Sequence, residues 1–517
     1  MSSALLLHDS VRRGAKLYPS RVAVTDGHVE LTYAALYDRA ARLAGGLRAA
    51  GLAAGGRFGL LARNRVEMAE LFVAAAASGC TCVPLNFRLA APEVAAILAD
   101  AEAGLVLVEP ELEHLLDASD VRRLRFGREY DALLAAPFVT RPKASEIVLQ
   151  MYTSGTTGTP KGAMLSHRNL VANSWTNLAE RNVIEGDVYL VVTPLCQIGG
   201  VSRLMTALHC GAAVHLRPRF EPEEALQLVE DGRVTTAFLV ATMLRSLLEA
   251  AGTRALETKT FRRLCYGGSP TPLDLLGDAM ERMRCEFQQG YGLTESSPNL
   301  TTLRPEDHRW EGPARARLSS VGRESLGVEV RVVDESGNDV AAGERGEIVA
   351  RGANIMEGYW KRPEATAAAI RDGWLHTGDI GVLDSESYLF LVDRTDDMLI
   401  SGGINVYPRE IELFLEAQAG VAEVAVVGKQ DERWGEVALA FVVAGPNADP
   451  EQLRTDLVDA CAVGLAGYKR PREYVFVKEL PRNALGKVLK HQLRQQARIQ
   501  AAGDKAPAIP RQRKQPT

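Results

Sequence analysis

The densest group of chemically capable side chains lies in residues 152–162, which read Tyr-Thr-Ser-Gly-Thr-Thr-Gly-Thr-Pro-Lys-Gly. Its glycines leave backbone N–H groups accessible, its hydroxyls can donate further hydrogen bonds, and Lys161 adds a positive charge, so the segment could wrap a polyphosphate. It is not a Walker A loop, because Pro160 stands where that motif has its second glycine. A flexible surface loop is the competing interpretation. The candidate phosphate-binding residues are Thr153, Ser154, Gly155, Thr156, Thr157, Gly158 and Lys161.

A second group of candidate ligands follows in residues 288–296, Gln-Gln-Gly-Tyr-Gly-Leu-Thr-Glu-Ser. Tyr291 could stack on an adenine ring, Thr294 could donate a hydrogen bond to a phosphate, and Glu295 could provide an oxygen ligand to Mg²⁺. Alone, such a short motif would be weak support for a nucleotide site. Its position after the first motif makes the combination informative.

Together the two motifs resemble those of the adenylate-forming superfamily, which comprises the acyl- and aryl-CoA synthetases, enzymes of the firefly-luciferase type and the adenylation domains of peptide synthetases. Matching segments extend from about residue 30 to residue 490, and in motif the chain is most similar to acyl-CoA ligases of the 4-chlorobenzoate–CoA ligase type. The resemblance implies an ATP-dependent acid–CoA ligase that uses ATP, Mg²⁺ and coenzyme A. In such an enzyme a carboxylate attacks the α-phosphate of MgATP to give acyl-AMP and pyrophosphate, and the CoA thiol then displaces AMP.

The same resemblance assigns roles to residues that, taken alone, would be ordinary turns, caps or solvated charges. The resemblance implies that Lys487, Thr294 and Glu295 are the catalytic residues and that Glu295 is also the metal ligand. Its nucleotide-binding residues, beyond the phosphate loop, are Gly268, Ser269, Tyr291, Asp379 and Arg394. Its acyl pocket comprises Trp175, Gln197, Ile198, Gly199, Leu239, Gly267 and Gly290. Its CoA contacts are Arg88, Gly402, Gly403, Trp434, Tyr468, Arg470 and Arg472.

One segment departs from the family pattern where the acid should bind. Most CoA ligases of this type have an aromatic residue and a histidine where this chain has Cys196 and Gln197, and a proline where it has Ala241. An amide can hydrogen-bond a carboxylate but does not titrate. How the acid is held is therefore left open. We expect an aromatic, alicyclic or medium-chain acid, because the pocket glycines leave room beside the apolar Trp175 and Ile198.

Alternating strand and helix patterns surround these motifs. A helix is expected to begin after Thr32, followed by a strand at 58–62, a helix at 67–77 and a strand at 80–85. This alternation predicts an α/β fold in which layered, mainly parallel sheets are flanked by helices.

The domain organisation follows from a change of pattern near residue 394. Residues 1–393 are expected to form the large N-terminal domain that binds ATP and the acid. After a hinge at 394–396, with Asp396 as the hinge residue, residues 397–500 are expected to form a small, mobile α+β lid. Residues 501–517 read as a disordered tail.

The bulk composition limits the classes of function. The chain of 517 residues has a formal net charge of −5, so it lacks the basic excess with which a duplex-binding protein neutralises phosphates. No apolar run approaches the ~18 residues of a membrane span, and no signal pattern is present. The seven cysteines are scattered, and Cys80 and Cys82 are expected to be buried thiols in a strand. We expect a cytoplasmic enzyme with small-molecule substrates and no nucleic-acid partner, for which a homodimer is one option.

Three functions stay open on the sequence. The first is a CoA ligase. The second is an adenylating enzyme that passes the acyl group to a carrier-protein thiol or an amine, and the matched CoA contacts argue against it. The third is a nucleotide-binding protein without chemistry, against which the joint presence of Lys487, Glu295 and Asp379 argues. Dependence on CoA separates the first two, and pyrophosphate exchange with a panel of acids tests the third.

Overall fold

The computed structural model describes residues 6–138, 147–153, 160–180, 183–256, 259–269, 271–394, 397, 399–401, 404–431, 434–446, 448–465, 467–482 and 488–503. The chain divides into two compact units, residues 1–377 with 382–390 and residues 378–381 with 391–517. Asp396 lies outside the described residues, so the hinge stays a prediction. In the part of the chain that is described, no helix is long and apolar enough to cross a membrane.

The elements follow one another in the expected alternation. The helices are α1 (Leu7–Leu17), α2 (Tyr33–Ala49), α3 (Val66–Ser78), α4 (Ala91–Asp100), α5 (Arg128–Leu134), α6 (His167–Ala179), α7 (Ile198–Cys210), α8 (Pro222–Glu230), α9 (Ala241–Ala250), α10 (Leu273–Arg282), α11 (Pro363–Ala369), α12 (Pro408–Glu416), α13 (Pro450–Gly464) and α14 (Lys490–Gly503). The strands are β1 (Val22–Thr25), β2 (Glu30–Thr32), β3 (Arg57–Leu61), β4 (Thr81–Leu85), β5 (Ala103–Val108), β6 (Arg123–Arg125), β7 (Ile147–Thr153), β8 (Lys161–Ser166), β9 (Val188–Val191), β10 (Ala213–Leu216), β11 (Thr236–Leu239), β12 (Arg263–Gly267), β13 (Glu286–Tyr291), β14 (Thr301–Leu303), β15 (Arg323–Glu324), β16 (Val328–Val333), β17 (Arg345–Gly352), β18 (Gly358–Tyr359), β19 (Ile370–Arg371), β20 (Trp374–Leu383), β21 (Leu389–Arg394), β22 (Leu399–Ser401), β23 (Ile404–Val406), β24 (Val421–Asp431), β25 (Gly435–Ala444) and β26 (Glu473–Phe476).

Two large sheets position the motifs of the first unit. One has the strand order β15-β14-β13-β12-β11-β9-β10-β1-β2 and is parallel from β13 to β1, with antiparallel strands at its edges. The other has the order β18-β8-β7-β4-β3-β5-β6 and is parallel from β7 to β6. A third sheet, β16-β17-β20-β19 with β21 beside β20, completes the layers. These sheets confirm the predicted α/β class.

Helix α3 lies at the centre of the first unit's core. Apart from Glu67 all of its residues are buried, as expected for a helix that is apolar around most of its circumference. Its one buried charge, Glu70, pairs with Arg39 and accepts a hydrogen bond from the Tyr130 hydroxyl. Burial raises the pKa of the Glu70 carboxyl, which these two donors oppose.

Side-chain hydrogen bonds fix the first residues of two helices, and the start of α2 after Thr32 is as predicted. Thr32 caps α2, its side-chain oxygen accepting a hydrogen bond from the backbone N–H of Ala35 at 3.2 Å. Ser166 and Asn169 cap α6 reciprocally, so the helix begins directly after β8. Cys80 and Cys82 are both buried as predicted, but only Cys82 lies in β4, because the strand begins at Thr81; burial raises the pKa of both thiols.

The second unit is a small α+β domain of its own. Its sheet has the order β23-β22-β25-β24, with β26 parallel to β25. Helices α12 and α13 contribute apolar residues to one of its two hydrophobic clusters and α14 to the other. Leu489 N–H donates to the Pro481 carbonyl at 2.8 Å and Arg482 bridges to Val488, so the chain on either side of residues 483–487 is paired.

Candidate active site

The base of the predicted phosphate loop is a pair of antiparallel strands. Thr153, the last residue of β7, is in register with Lys161, the first residue of β8. The loop residues Ser154, Gly155, Thr156, Thr157 and Gly158 lie outside the described residues, so their contacts stay predictions. The strands nevertheless fix where the loop begins and ends.

The carboxylate of Glu295 lies at this loop base. Its Oε1 atom accepts a hydrogen bond from the Tyr359 hydroxyl at 2.8 Å and a longer one from the Thr153 hydroxyl at 3.5 Å. The Lys161 ammonium is 5.3 Å from the centroid of the Tyr359 ring. The structure therefore brings together Thr153, Lys161 and Glu295, three residues that the sequence assigned to phosphate and metal binding.

The backbone around Glu295 is held by buried hydrogen bonds. Thr294–Ser296 form one 3-10 turn, and the Met356 N–H donates to the Glu295 carbonyl at 2.8 Å. The buried Asn354 amide donates to the carbonyls of Ser296 at 2.9 Å and Asn299 at 2.7 Å. These contacts fix the position of the carboxylate before any ligand binds.

The donor set at Glu295 fits a divalent cation such as Mg²⁺. Both of these hydrogen bonds are accepted by Oε1, and the described residues give Oε2 no hydrogen-bond partner. A half-buried carboxylate with one oxygen left over is suited to a hard cation that keeps several waters. The described residues contain no cluster of three or more ionisable metal ligands, so such a cation would rely on one carboxylate and on substrate oxygens.

A second network fixes the outer side of the β7–β8 hairpin. The Tyr152 hydroxyl donates to Asp100 Oδ2 at 2.6 Å, and the Trp360 indole N–H donates to the Asp100 carbonyl at 3.0 Å. The Arg57 guanidinium carbon lies 3.3 Å from the centroid of a Trp360 ring, and its Nε donates to Gln150 Oε1 at 2.7 Å. The strand that leads into the phosphate loop is thereby anchored at Gln150 and Tyr152, just before the loop.

The predicted acyl pocket is side-chain-free where two strands adjoin. Gly267 of β12 and Gly290 of β13 are in register. A Cβ atom on Gly267 would lie 2.3 Å from the Gly290 carbonyl oxygen, and Gly267 has φ +149°, so glycine is required there. Among the described residues, a Cβ on Gly290 would meet only the Asn299 side chain, at 3.5 Å.

The other acyl-pocket residues are placed less uniformly. Gln197 precedes α7 as its N-cap residue and is half-buried, Ile198 and Leu239 are buried, and Gly199 is half-buried at the start of α7. Trp175 is 51 % exposed on α6. It lies about 200° around that helix from Asn173 and from Asn177, which face the core, so the structure does not bring it together with the pocket glycines.

The predicted nucleotide contacts lie at strand ends. Gly268 has φ +75° directly after β12, and Ser269 beside it is exposed. Tyr291 ends β13 with its side chain only 9 % exposed, in an apolar cluster with Leu300 and Val321. Asp379 is buried within β20, and Arg394 is the last residue of β21, with a side chain outside the described residues. Their roles toward ATP stay predictions.

The predicted CoA contacts are divided between the two units. In the first unit Arg88 is exposed after β4, with its guanidinium carbon 5.6 Å from the Phe87 ring centroid. In the second unit Trp434, Tyr468 and Arg472 are exposed, whereas the Arg470 side chain donates to the Leu465 carbonyl at 2.8 Å. Gly402, Gly403 and the predicted catalytic Lys487 lie outside the described residues.

Several residues that build the site were missed by sequence reasoning. Tyr359, Asn354 and Asn299 contact the Glu295 turn or the Gly290 strand, yet none of them belongs to the two motifs. The only available signal for Tyr359 was its position in the segment 356–360, which resembles another family block.

Two family models match most of the chain. The family model of the AMP-binding enzymes matches residues 11–360, and that of the AMP-binding enzyme C-terminal domain matches residues 410–487. A feruloyl-CoA synthase of an Amycolatopsis species is 40% identical over 492 residues, which is 93% of this chain and 97% of the relative. A fatty acid–[acyl-carrier-protein] ligase of Streptomyces coeruleorubidus is 38% identical over 92% of this chain and 93% of the relative.

Solved structures show the same similarity. The o-succinylbenzoate CoA synthetase of Bacillus subtilis, in complex with an acyl-adenylate intermediate, is 32% identical with a TM-score of 0.83, covering 94% of this chain and 97% of that one. The same enzyme in complex with ATP and a magnesium ion gives a TM-score of 0.82 at 32% identity, covering 94% of this chain and 98% of that one. The two family models together span most of the chain, and the motif resemblance is thereby confirmed: the chain belongs to the adenylate-forming, AMP-binding enzymes.

Proposed function

We propose that the protein is an ATP-dependent carboxylic acid–CoA ligase that works through an acyl-AMP intermediate. The observation that carries the proposal is the convergence of Glu295, Thr153 and Lys161 at the base of the phosphate loop. The feruloyl-CoA synthase and o-succinylbenzoate CoA synthetase relatives support it. We propose an aromatic, alicyclic or medium-chain acid, bound in front of the paired Gly267 and Gly290.

In the first half-reaction a carboxylate oxygen of the acid attacks the α-phosphorus of ATP, and the bond from that phosphorus to pyrophosphate breaks. Lys161 and the loop donors would bind the phosphates, and Lys487 would place its charge near the attacked phosphate. Glu295 would hold Mg²⁺, which when bound supplies positive charge to the phosphate oxygens. The relative solved with ATP and a magnesium ion supports both ligands.

In the second half-reaction the CoA sulfur attacks the acyl carbonyl carbon, the carbon–oxygen bond to AMP breaks, and the thiol proton goes to solvent. The space that Lys487 occupies during adenylation must then become accessible to the thiol. A lid that moves about Asp396 would achieve this, and Gly402 and Gly403 would leave room for the pantetheine arm. Arg88, Trp434, Tyr468, Arg470 and Arg472 are the proposed contacts for the nucleotide part of CoA.

A second acceptor is favoured by one specific observation. The similarity to a fatty acid–[acyl-carrier-protein] ligase has nearly the same extent as the similarity to the feruloyl-CoA synthase. A carrier-protein thiol is therefore the alternative acceptor for the same acyl-AMP.

The test measures acid-dependent release of pyrophosphate from MgATP over a panel of aromatic, alicyclic and medium-chain acids. Each acid is assayed with CoA, with a phosphopantetheinylated carrier protein, and without an acceptor. We expect AMP and an acyl-CoA thioester to form in equal amounts in the CoA arm. Thioester formed only on the carrier protein would establish the alternative, and no acid-dependent release in any arm would refute an acid-activating function for this panel.

A further inference from the structure

One row of side chains on the buried face of α6 is polar. Asn169, Asn173 and Asn177 are one helical turn apart, and each is at most 1 % exposed. The Asn173 amide donates to Ser202 Oγ of α7 at 2.7 Å, and the Asn177 amide donates to the same oxygen at 3.4 Å. Apolar side chains could fill the contact between two helices without desolvating amides, so this polarity has to be explained.

The polar contact continues to the glycines of the acyl pocket. Asn299 donates from Nδ2 to Asn177 Oδ1 at 2.6 Å, and its Oδ1 lies 3.5 Å from the place of a Cβ on Gly290. Gln288, two residues before Gly290, donates to the carbonyl of Glu180 at the end of α6 at 3.3 Å. Because residues two apart in a strand face the same side, the Cβ side of Gly290 faces α6, with the Asn299 side chain between them.

Arg203 of α7 brings a positive charge to the same contact. It is 5 % exposed, and its guanidinium carbon lies 4.8 Å from the centroid of the Phe238 ring. Phe238 is in register with Cys265, which precedes Gly267 by two residues on the same face of the sheet. Arg203 therefore lies beside the side chains that precede the glycines by two residues in β12 and its neighbouring strand, on the side away from the phosphate loop.

Two atoms of this group have unused hydrogen-bonding capacity. Among the described residues, Arg203 Nε and Asn173 Oδ1 are buried and have no hydrogen-bond partner. They belong to side chains that meet at one atom, because Arg203 donates from a terminal nitrogen to Ser202 Oγ at 3.4 Å, as Asn173 does at 2.7 Å. A buried guanidinium nitrogen without an acceptor and a buried amide oxygen without a donor are both destabilising. A hydroxyl group both donates and accepts, so it is the simplest group whose chemistry matches the two atoms.

We propose that Asn173, Ser202 and Arg203 form a recess that binds a hydroxyl group at the far end of the acid. This inference rests on the proposed function, because it takes Gln197 at the start of α7 to mark the reacting carboxyl group. Arg203 follows the N-cap residue Gln197 by six residues, a backbone rise of about 9 Å at ~1.5 Å per residue. A ring with a short unsaturated spacer and a hydroxyl opposite the spacer spans about this length, so the substrate class is a hydroxylated aromatic acid.

The test compares three acids on the full-length protein: 3-phenylpropenoic acid and its 4-hydroxy and 4-carboxy derivatives. The measured quantity is kcat/KM for pyrophosphate release, and we expect the 4-hydroxy acid to exceed the unsubstituted acid at least tenfold. Arg203→Met removes the guanidinium but keeps a long side chain, and should lower this ratio at least tenfold. Met205→Leu, a buried change on the same helix, is the matched control and should keep the ratio.

Four outcomes decide the inference. Equal use of the hydroxylated and unsubstituted acids, or a ratio that Arg203→Met does not change, would overturn it. Preference for the 4-carboxy acid would overturn the hydroxyl in favour of an anion. If Arg203→Met does not fold, Asn173→Leu must produce the loss of ratio instead. If the wild-type protein uses none of these three acids but does release pyrophosphate with other acids of the panel, the proposed function stands and the recess inference is overturned. If no acid of the panel is used, the proposed function fails, and binding of the 4-hydroxy acid by calorimetry, lost in the variant, decides whether the recess exists.

Discussion

Replacing Tyr359 with phenylalanine tests whether Glu295 binds the metal ion. The change removes one hydroxyl, which donates to Glu295 Oε1 over 2.8 Å, and leaves the ring beside Lys161. A hydrogen bond to a charged group contributes about 1.5–3 kcal/mol, and screening at a half-buried carboxylate reduces this to about 1–2 kcal/mol. That range corresponds to a loss of about 5- to 30-fold in cation affinity, close to the ~10–100-fold typical of partners that orient a metal ligand.

The assay is acid-dependent pyrophosphate release as a function of Mg²⁺ concentration at fixed ATP and acid. In Tyr359→Phe the Mg²⁺ concentration for half-maximal rate should rise about tenfold, while the KM for the acid stays within about twofold.

The chain offers a matched control for this change in Tyr130→Phe. The Tyr130 hydroxyl also donates to a carboxylate, that of Glu70, but within the buried core around α3. This variant should lower the melting temperature and leave the Mg²⁺ requirement as it is. An unchanged requirement in Tyr359→Phe, or an equal rise in both variants, would refute the assignment of Glu295.

Four further changes test other parts of the site and of the fold. Lys487→Ala should slow pyrophosphate release about 10²–10³-fold, because one preorganised charge on a developing anion contributes ~3–4 kcal/mol, while supplied acyl-AMP should still react with CoA at a rate reduced far less. Gln197→Ala should weaken binding of the acid by ~1–3 kcal/mol and so raise the KM for the acid, while the KM for ATP stays near its starting value. An unchanged acid profile would place this amide outside the pocket. Gly290→Ala adds a methyl group to the proposed acyl space, so kcat/KM for aromatic acids should fall relative to short-chain acids, with normal folding checked by circular dichroism. Burial lowers the pKa of His308 to about 4, and its Nε2 lies 2.9 Å from the Tyr266 hydroxyl. As the pH falls, the unfolded chain therefore binds the proton first, so stability should fall as the pH drops from 6.5 toward 4. Between pH 7.5 and 5, the loss in unfolding free energy should be about 2 kcal/mol smaller in His308→Gln than in the wild-type protein.

The parts of the fold that depend on neighbouring residues could be predicted from the sequence. The cap at Thr32 and the alternation of β3, α3 and β4 follow from side-chain hydrogen bonds and apolar spacing within a few residues. The phosphate loop and the Glu295 motif could be located for the same reason, since each is a continuous segment. The observed bounds of these helices and strands differ from the predicted ones by about one residue. Helix α3, for example, begins at Val66 rather than Glu67.

The parts that depend on distant residues could not be predicted in this way. Tyr359 reaches Glu295 across 64 residues of chain, and Asn299 reaches Asn177 across 122. Helical spacing of the α6 asparagines is visible in the sequence, but nothing local says whether such a row faces water or a second helix. The same ambiguity affects Trp175. Its apolar side chain was assigned to the pocket, but it is half exposed on the opposite side of α6.

Asn299 links the two halves of the proposed site, and this affects how variants in either half should be interpreted. Its side chain donates to Asn177 beside the acyl pocket, while its carbonyl accepts from Asn354, which also holds the Ser296 carbonyl next to Glu295. A change that moves Asn299 from the acid side can therefore displace the metal-binding turn through hydrogen bonds alone. Variants of the acid recess should accordingly be titrated with Mg²⁺ as well as with acid: a residue that only recognises the acid alters the choice among acids at a constant Mg²⁺ requirement, whereas one that supports Asn299 alters both.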